Sequence, residues 1–167
     1  GNGKTSVAEA IATGLMVPLV IVRYDGLITS FLGETASRLR RLFDFAHSRK
    51  CVLLFDEFDT VGKERGDIHE TGEIKRVVSS LLMQIDNLPS HVLVVCATNH
   101  PELLDRAVWR RFQLRLSLDA PTLAETEEYS SLMQKRMQLS LGVSSKVLAT
   151  RLKGASFSDL EQFVESV

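Results

Sequence analysis

Cys51-Val52-Leu53-Leu54-Phe55-Asp56-Glu57-Phe58-Asp59 is the stretch that decides the architecture. Its first five residues, Cys51 to Phe55, are apolar without alternation. Alternation marks a sheet with one wet face. A short continuous apolar run marks a strand covered on both faces, as in a parallel sheet with helices on either side. The run turns acidic at Asp56 and Glu57. Ligands of open parallel sheets bind outside the carboxyl ends of the strands, so adjacent carboxylates there are well placed to hold a metal ion and a reacting water. The competing reading is a solvated loop after a core strand, and this stretch alone does not separate the two.

The first residues do. Gly1-Asn2-Gly3-Lys4-Thr5 matches the last five positions of the phosphate-binding pattern G-x-x-x-x-G-K-[ST]. The first glycine of that pattern is expected upstream of Gly1. Backbone N–H groups of such a loop cradle phosphates at a helix N-terminus. Lys4 is expected to reach the β- and γ-phosphates, and the Thr5 hydroxyl to ligate Mg²⁺. The apolar strand ending in Asp-Glu follows about fifty residues later. Asp56 then becomes the second anchor of Mg²⁺, and Glu57 the residue that activates the attacking water.

The 167 residues are 44% hydrophobic, enough for a sizeable core, and the net charge of −1 gives no argument for a nucleic-acid or membrane surface. The two cysteines, Cys51 and Cys96, sit in apolar runs and read as buried thiols of a reducing, cytoplasmic compartment. The four histidines lack metal-ligand spacing and read as surface or loop residues. Leu15–Val22 is too short to span a bilayer. No signal peptide is visible, and the true N-terminus is expected upstream.

Along the chain, helices are expected at Thr5–Leu15, Glu34–Ser48 and the stripe Ile74 to Ile85, with a short one at Pro101–Trp109. Strands are expected at Val17–Val22, Cys51–Phe55, His91–Ala97 and Phe112–Leu118. Strands alternating with helices indicate a doubly wound parallel α/β sheet. Pro121 marks a boundary, beyond which only helices are expected. Thr122 with Glu125 reads as a capping box, and Tyr129, Leu132, Met133 and Met137 as the apolar stripe of the helix that follows. Ser144–Leu152 is a shorter helix. Ser156 caps the last, with the stripe Leu160, Phe163, Val164 and Val167.

Taken together, these residues resemble one family, the AAA ATPases of the AAA+ superfamily, over essentially the whole chain. Gly1–Thr5 resembles the end of Walker A, and Leu53–Glu57 the Walker B strand. Ala97-Thr98-Asn99 is similar to the sensor stretch, in which Asn99 would contact the γ-phosphate or the attacking water. Leu104 to Phe112 resembles the arginine-finger segment, and its compact Arg110-Arg111-Phe112 form is most like the katanin and spastin branch. By resemblance, Arg110 and Arg111 reach the ATP of a neighbouring subunit. Ser30-Phe31-Leu32-Gly33-Glu34 resembles the central-pore loop that grips an extended polypeptide, although Phe31 could instead pack under the next helix. By resemblance, Arg65 fits the basic residue that follows Walker B, and the Lys63–Glu70 loop fits the position of a second pore loop. Gly154-Ala155-Ser156-Phe157-Ser158-Asp159 departs from the lid pattern Gly-x-Ser-Gly-Ala-Asp, and Phe157 either stacks on adenine or fills the lid core.

The resemblance implies a P-loop NTPase core over residues 1–120 and a partial helical lid over 121–167. It implies an ATP hydrolase with ATP and Mg²⁺ as cofactors. Its ring would be a homo-oligomer, a hexamer, acting on a polypeptide substrate or adaptor in the cytoplasm. Phe31-Leu32-Gly33 and the near-neutral charge argue against the alternative of a nucleic-acid motor or loader. Intact Lys4, Asp56, Glu57, Asn99, Arg110 and Arg111 argue against a non-hydrolysing scaffold.

Overall fold

Ala8 and Ala12 recur four residues apart, and small side chains at that spacing let a helix lie close against a sheet. They form the buried stripe of α1, Lys4–Leu15. The structure, a computed structural model, describes residues 3–23, 32–59, 72–104, 106–137 and 143–165. α1 stops where Met16 takes a φ of 54° and Val17 N donates to Ala12 O at 3.0 Å, the bond that closes a helix on a left-handed residue. β1, Leu19–Arg23, follows.

In α2, Leu32–His47, the buried residues Leu39, Phe43 and Ala46 keep helical spacing. β2 is Cys51–Asp56, α3 is Gly72–Asp86 and β3 is Val92–Cys96. Val78, Leu81, Leu82 and Ile85 form the buried stripe of α3. The expected helix at Pro101–Trp109 is two pieces, a 3₁₀ turn at Pro101–Leu103 and α4 at Arg106–Trp109.

The three strands form one parallel sheet in the order β1-β2-β3, with Val20 opposite Leu53 and Leu53 opposite Val94. β2 is central, and Cys51 to Phe55 are buried throughout, as the unbroken apolar run requires. Cys51, Leu53 and Phe55 share a cluster with Leu39, Phe43, Val78 and Leu82 of α2 and α3. Leu54 clusters instead with Ala8 of α1 and with Ala97. Helices therefore cover both faces of the sheet, which is the α/β arrangement expected. Both cysteines are free thiols, and burial pushes their pKa values up.

The expected strand at Phe112–Leu118 does not form. Phe112 packs edge-on against Phe58, with ring centroids 6.3 Å apart. Beyond it, Leu114 and Leu116 are 72% and 67% exposed. A β-forming pattern becomes a strand only against a partner's backbone, and among the described residues the ladders join β1, β2 and β3.

The chain divides into two compact units, Thr5–Arg115 and, grouped with Gly1–Lys4, Leu116–Val167. The second contains α5, Leu123–Met137, α6, Ser145–Arg151, and α7, Phe157–Glu165, with α6 and α7 both packed on α5. Thr122 and Glu125 form the expected capping box at the start of α5. The buried face of α5 differs from the expected stripe. It is Thr126, Ser130 and Met133, whereas Leu132 is 59% exposed. The two hydroxyls enter the core because each is satisfied within the helix: Thr126 Oγ1 donates to Thr122 O at 2.9 Å, and Ser130 Oγ to Thr126 O at 2.7 Å. Among the described residues no helix is long and apolar enough to cross a membrane.

Candidate active site

Gly3 has a φ of +84°, a conformation in which any Cβ is strained, and it leads directly into the N-terminus of α1. Lys4 and Thr5 are the first two residues of that helix, and its first turn carries no acidic side chain. A helix N-terminus entered from a left-handed glycine offers backbone N–H groups and a favourable dipole to an anion. That local geometry fits the triphosphate that the sequence pattern calls for. Gly1 and Asn2 lie outside the described residues.

β2 ends at Asp56, which is half-buried, and Glu57 turns off the strand with a φ of 54°. A left-handed non-glycine residue costs about 1–2 kcal/mol. Here Glu57 N donates to Asp56 Oδ1 at 3.0 Å. Phe58 N donates to Ala97 O and Ala97 N to Phe55 O, both at 2.9 Å. The turn is therefore laced to the end of β3. Since Ala97 and Leu54 pack on Ala8, Thr5, one turn earlier in α1, is carried toward the same strand ends. On the other side of β2, Arg23 is the ladder neighbour of Asp56.

Asp59 belongs to this constellation, although the sequence singles it out only as the end of an acidic turn. It is 8% exposed. Its Oδ1 accepts the Thr98 hydroxyl at 2.8 Å and the Asn99 backbone N–H at 3.3 Å. Burial by itself would push its carboxyl up. The bonds from the Thr98 hydroxyl and from backbone amides outweigh that and hold it below the usual carboxylate range. Thr98 Oγ1 also accepts the His100 N–H at 2.9 Å. Asp56, Glu57, Asp59 and Asn99 thus lie at one end of the sheet. No signal in the sequence marks Asp59, because as the third acidic residue of Asp-Glu-Phe-Asp it reads like the rest of a solvated acidic turn.

Among the described residues no three His, Cys, Asp or Glu side chains converge to hold a metal. Mg²⁺ bound through one or two protein oxygens, water and substrate phosphates asks for no such cage. The Thr5 hydroxyl and the Asp56 carboxylate are hard oxygen donors of the type it takes.

Leu104 and Val108, buried four residues apart, anchor the segment that carries Arg110 and Arg111. Arg110 is exposed. Arg111 is half-buried and ion-paired with Asp86, the last residue of α3. Arg115, not anticipated, sets its guanidinium 4.6 Å from the centre of the Trp109 ring and donates to Trp109 O at 3.1 Å.

Phe31, Arg65 and the Lys63–Glu70 loop lie outside the described residues. Leu32 and Gly33 belong to the first turn of α2, which starts two residues before the expected Glu34. Phe157 meets Tyr129 edge-on, with centroids 4.9 Å apart, inside the helical unit. Of its two expected roles, this contact favours filling the lid core.

A family profile described as "ATPase family associated with various cellular activities (AAA)" matches residues 1–120. An uncharacterized AAA family ATPase, y4kL, of Sinorhizobium fredii is 41% identical over 97% of this chain and 48% of its own length. The ATP-dependent zinc metalloprotease FtsH of Clostridium perfringens is 35% identical over 98% of this chain and 24% of its own. A 26S proteasome regulatory subunit homolog of Methanocaldococcus jannaschii is 30% identical over 97% of this chain and 44% of its own. The chain thus spans about half or less of the length of these relatives, and none of their names belongs to the katanin and spastin branch. With a profile that covers most of the chain, a parallel sheet whose central strand runs into Asp-Glu, and a left-handed glycine entering α1, the chain belongs to the AAA family of ATPases.

Proposed function

We propose that the chain binds ATP with Mg²⁺ and hydrolyses it in an oligomeric ring, coupling turnover to remodelling, unfolding or translocation of a protein substrate. One observation carries most of the reading. Asp56 and Glu57 leave β2 where Thr98 and Asn99 leave β3, and Ala8 packs α1 against the same strand ends.

Phosphoryl transfer needs mainly positioning and charge neutralisation. Gly1, Asn2 and Gly3 would cradle the phosphates with backbone N–H groups, and Lys4 would neutralise the β- and γ-phosphate oxygens. Thr5 and Asp56 would hold Mg²⁺, which when bound withdraws charge from the same oxygens. Glu57 would take the proton of the attacking water, and Asn99 would orient that water against the γ-phosphate. Arg110 and Arg111 would neutralise the charge developing on a neighbouring subunit's nucleotide, so activity would require a ring, proposed as a homo-hexamer.

A protein substrate is supported by the names of two relatives, a protease and a proteasome-subunit homolog. Phe31, Leu32 and Gly33 would supply the grip, and an adaptor could present the substrate. Residues 1–120 would act as the ATPase core and 121–167 as its lid. The free thiols Cys51 and Cys96 suit a reducing cytoplasm. The likeness of Arg110-Arg111-Phe112 to the katanin and spastin branch concerns that segment alone.

The test is a pair of substitutions in the assembled protein. Glu57→Gln should keep ATP binding and nearly abolish phosphate release, while Lys4→Ala should lose binding. Normal turnover in Glu57→Gln would remove the role given to Glu57.

A further inference from the structure

Asp59 is the one charged side chain in the buried class among the described residues, and none of the roles above uses it. Taking a carboxylate out of water costs several kcal/mol unless donors replace the water. Besides its own backbone N–H, donors come from the segment after β3. The Thr98 hydroxyl donates at 2.8 Å and the Asn99 N–H at 3.3 Å, both to Oδ1. Thr98 is fixed in turn, because its Oγ1 accepts the His100 N–H at 2.9 Å. His100 itself pairs with Glu102, at 3.1 Å. The strands are already joined by Phe58 N to Ala97 O and Ala97 N to Phe55 O. Those two bonds stop at Ala97, however, two residues short of Asn99. The Asp59 carboxylate carries the lacing on to the backbone of Asn99.

We propose that Asp59 is a positioning residue, whose buried carboxylate holds Thr98 and the backbone of Asn99 so that the Asn99 side chain keeps a fixed place relative to Glu57. This rests on the reading of Glu57 and Asn99 as the groups that act on the attacking water. Asp59 touches neither water nor nucleotide in that reading. It acts through Asn99, by tying the segment that bears it to the turn that bears Glu57. A displacement of about 1 Å at a reacting centre can cost on the order of a hundredfold in rate, so the tie matters to the chemical step.

A double-substitution cycle in the assembled protein tests this, with kcat, KM for ATP and melting temperature read on each variant. Asp59→Ala removes the oxygen that accepts both bonds, and it should lower kcat by about tenfold to a hundredfold and leave KM unchanged, because the phosphate cradle is built on α1. In an Asn99→Ala background, Asp59→Ala should lower kcat no further, since residues acting as one unit are not additive. Should Asp59→Ala fail to fold, Thr98→Val removes the shortest bond at nearly constant shape, and Thr98→Ser restores it. Loss of kcat with Val and recovery with Ser supports the role. Equal kcat for Thr98→Val and wild type overturns it. So does an undiminished effect of Asp59→Ala in the Asn99→Ala background. If Glu57→Gln abolishes turnover while Asp59→Ala leaves it at the wild-type rate, the positioning role falls and the hydrolytic reading stands. If Glu57→Gln and Asn99→Ala both turn over normally, the hydrolytic reading falls, and the positioning role with it.

Discussion

Arg111 Nη2 lies 2.9 Å from Asp86 Oδ2, and Arg111 Nε donates to the same oxygen at 3.0 Å. Arg111 Nη1 also donates to Ala107 O at 2.6 Å. The guanidinium is thereby held within its own chain. Arg110, its neighbour in sequence, is exposed. A partly exposed ion pair contributes roughly 0–1 kcal/mol, so Asp86 can steer Arg111 without holding it irreversibly.

Arg110→Ala should therefore lower turnover by roughly 10³–10⁵ with an unchanged melting temperature. Arg111→Ala should lower both turnover and melting temperature. Phosphate release and thermal unfolding on the two variants check this. Mixing Arg110→Ala with Lys4→Ala subunits should restore part of the activity, at interfaces that join an intact phosphate loop to intact arginines. If mixed rings assemble and stay inactive, action on a neighbour's nucleotide is the wrong assignment.

Met16 closes α1 with a φ of 54° and is 91% exposed, so its side chain gains little from the position. Glycine adopts this conformation without Cβ strain. Met16→Gly should raise stability by roughly 0.5–1 kcal/mol, the left-handed strain less the entropy cost of glycine. Denaturant unfolding measures it. A lower midpoint would mean that Met16 makes a contact worth more than the strain.

Two helices of the C-terminal unit start on reciprocal caps that depend on ionised carboxylates. Thr122 N and Thr122 Oγ1 both donate to Glu125 Oε2 at 2.7 Å. Ser156 Oγ and Ser156 N donate to Asp159 Oδ2 at 2.7 and 2.8 Å. These bonds hold both carboxyls below their ordinary values of 4.5 and 3.8: the Thr122 backbone N–H first and then its hydroxyl for Glu125, the Ser156 hydroxyl first and then its N–H for Asp159. A carboxyl depressed in the folded state stabilises above its unfolded pKa, and the gain fades as pH falls through the folded one. Helix content should thus begin to fall below about pH 4.5, starting at α5. Ser156→Ala should cost about 1 kcal/mol at neutral pH and weaken the acid dependence. Far-ultraviolet circular dichroism across the acid range reads both effects. An acid profile identical in wild type and Ser156→Ala would show that this cap does not set it.

What the sequence alone determined is what depends on near neighbours or on one-dimensional pattern. The unbroken run Cys51–Phe55 specifies a doubly covered strand, because each residue of either parity must be apolar. The capping box Thr122/Glu125 and the cap at Ser156 are legible because a cap and its partner lie within one helical turn. The Walker-like segments are legible because loop and strand-end chemistry is written in contiguous residues. The tertiary structure alone decided the contacts across long separations. Asp59 meets Thr98 from 39 residues away, and Arg111 meets Asp86 from 25 away. Nothing in the local pattern separates those carboxylates from solvated ones. Leu114 and Leu116 alternate like a strand, yet a strand needs a partner backbone, which a local pattern cannot supply. Thr126 and Ser130 look like surface residues until the packing of α6 and α7 on α5 chooses which face is covered. Their hydroxyls can follow that choice because the helix's own carbonyls accept them, which removes the usual cost of burying a polar group.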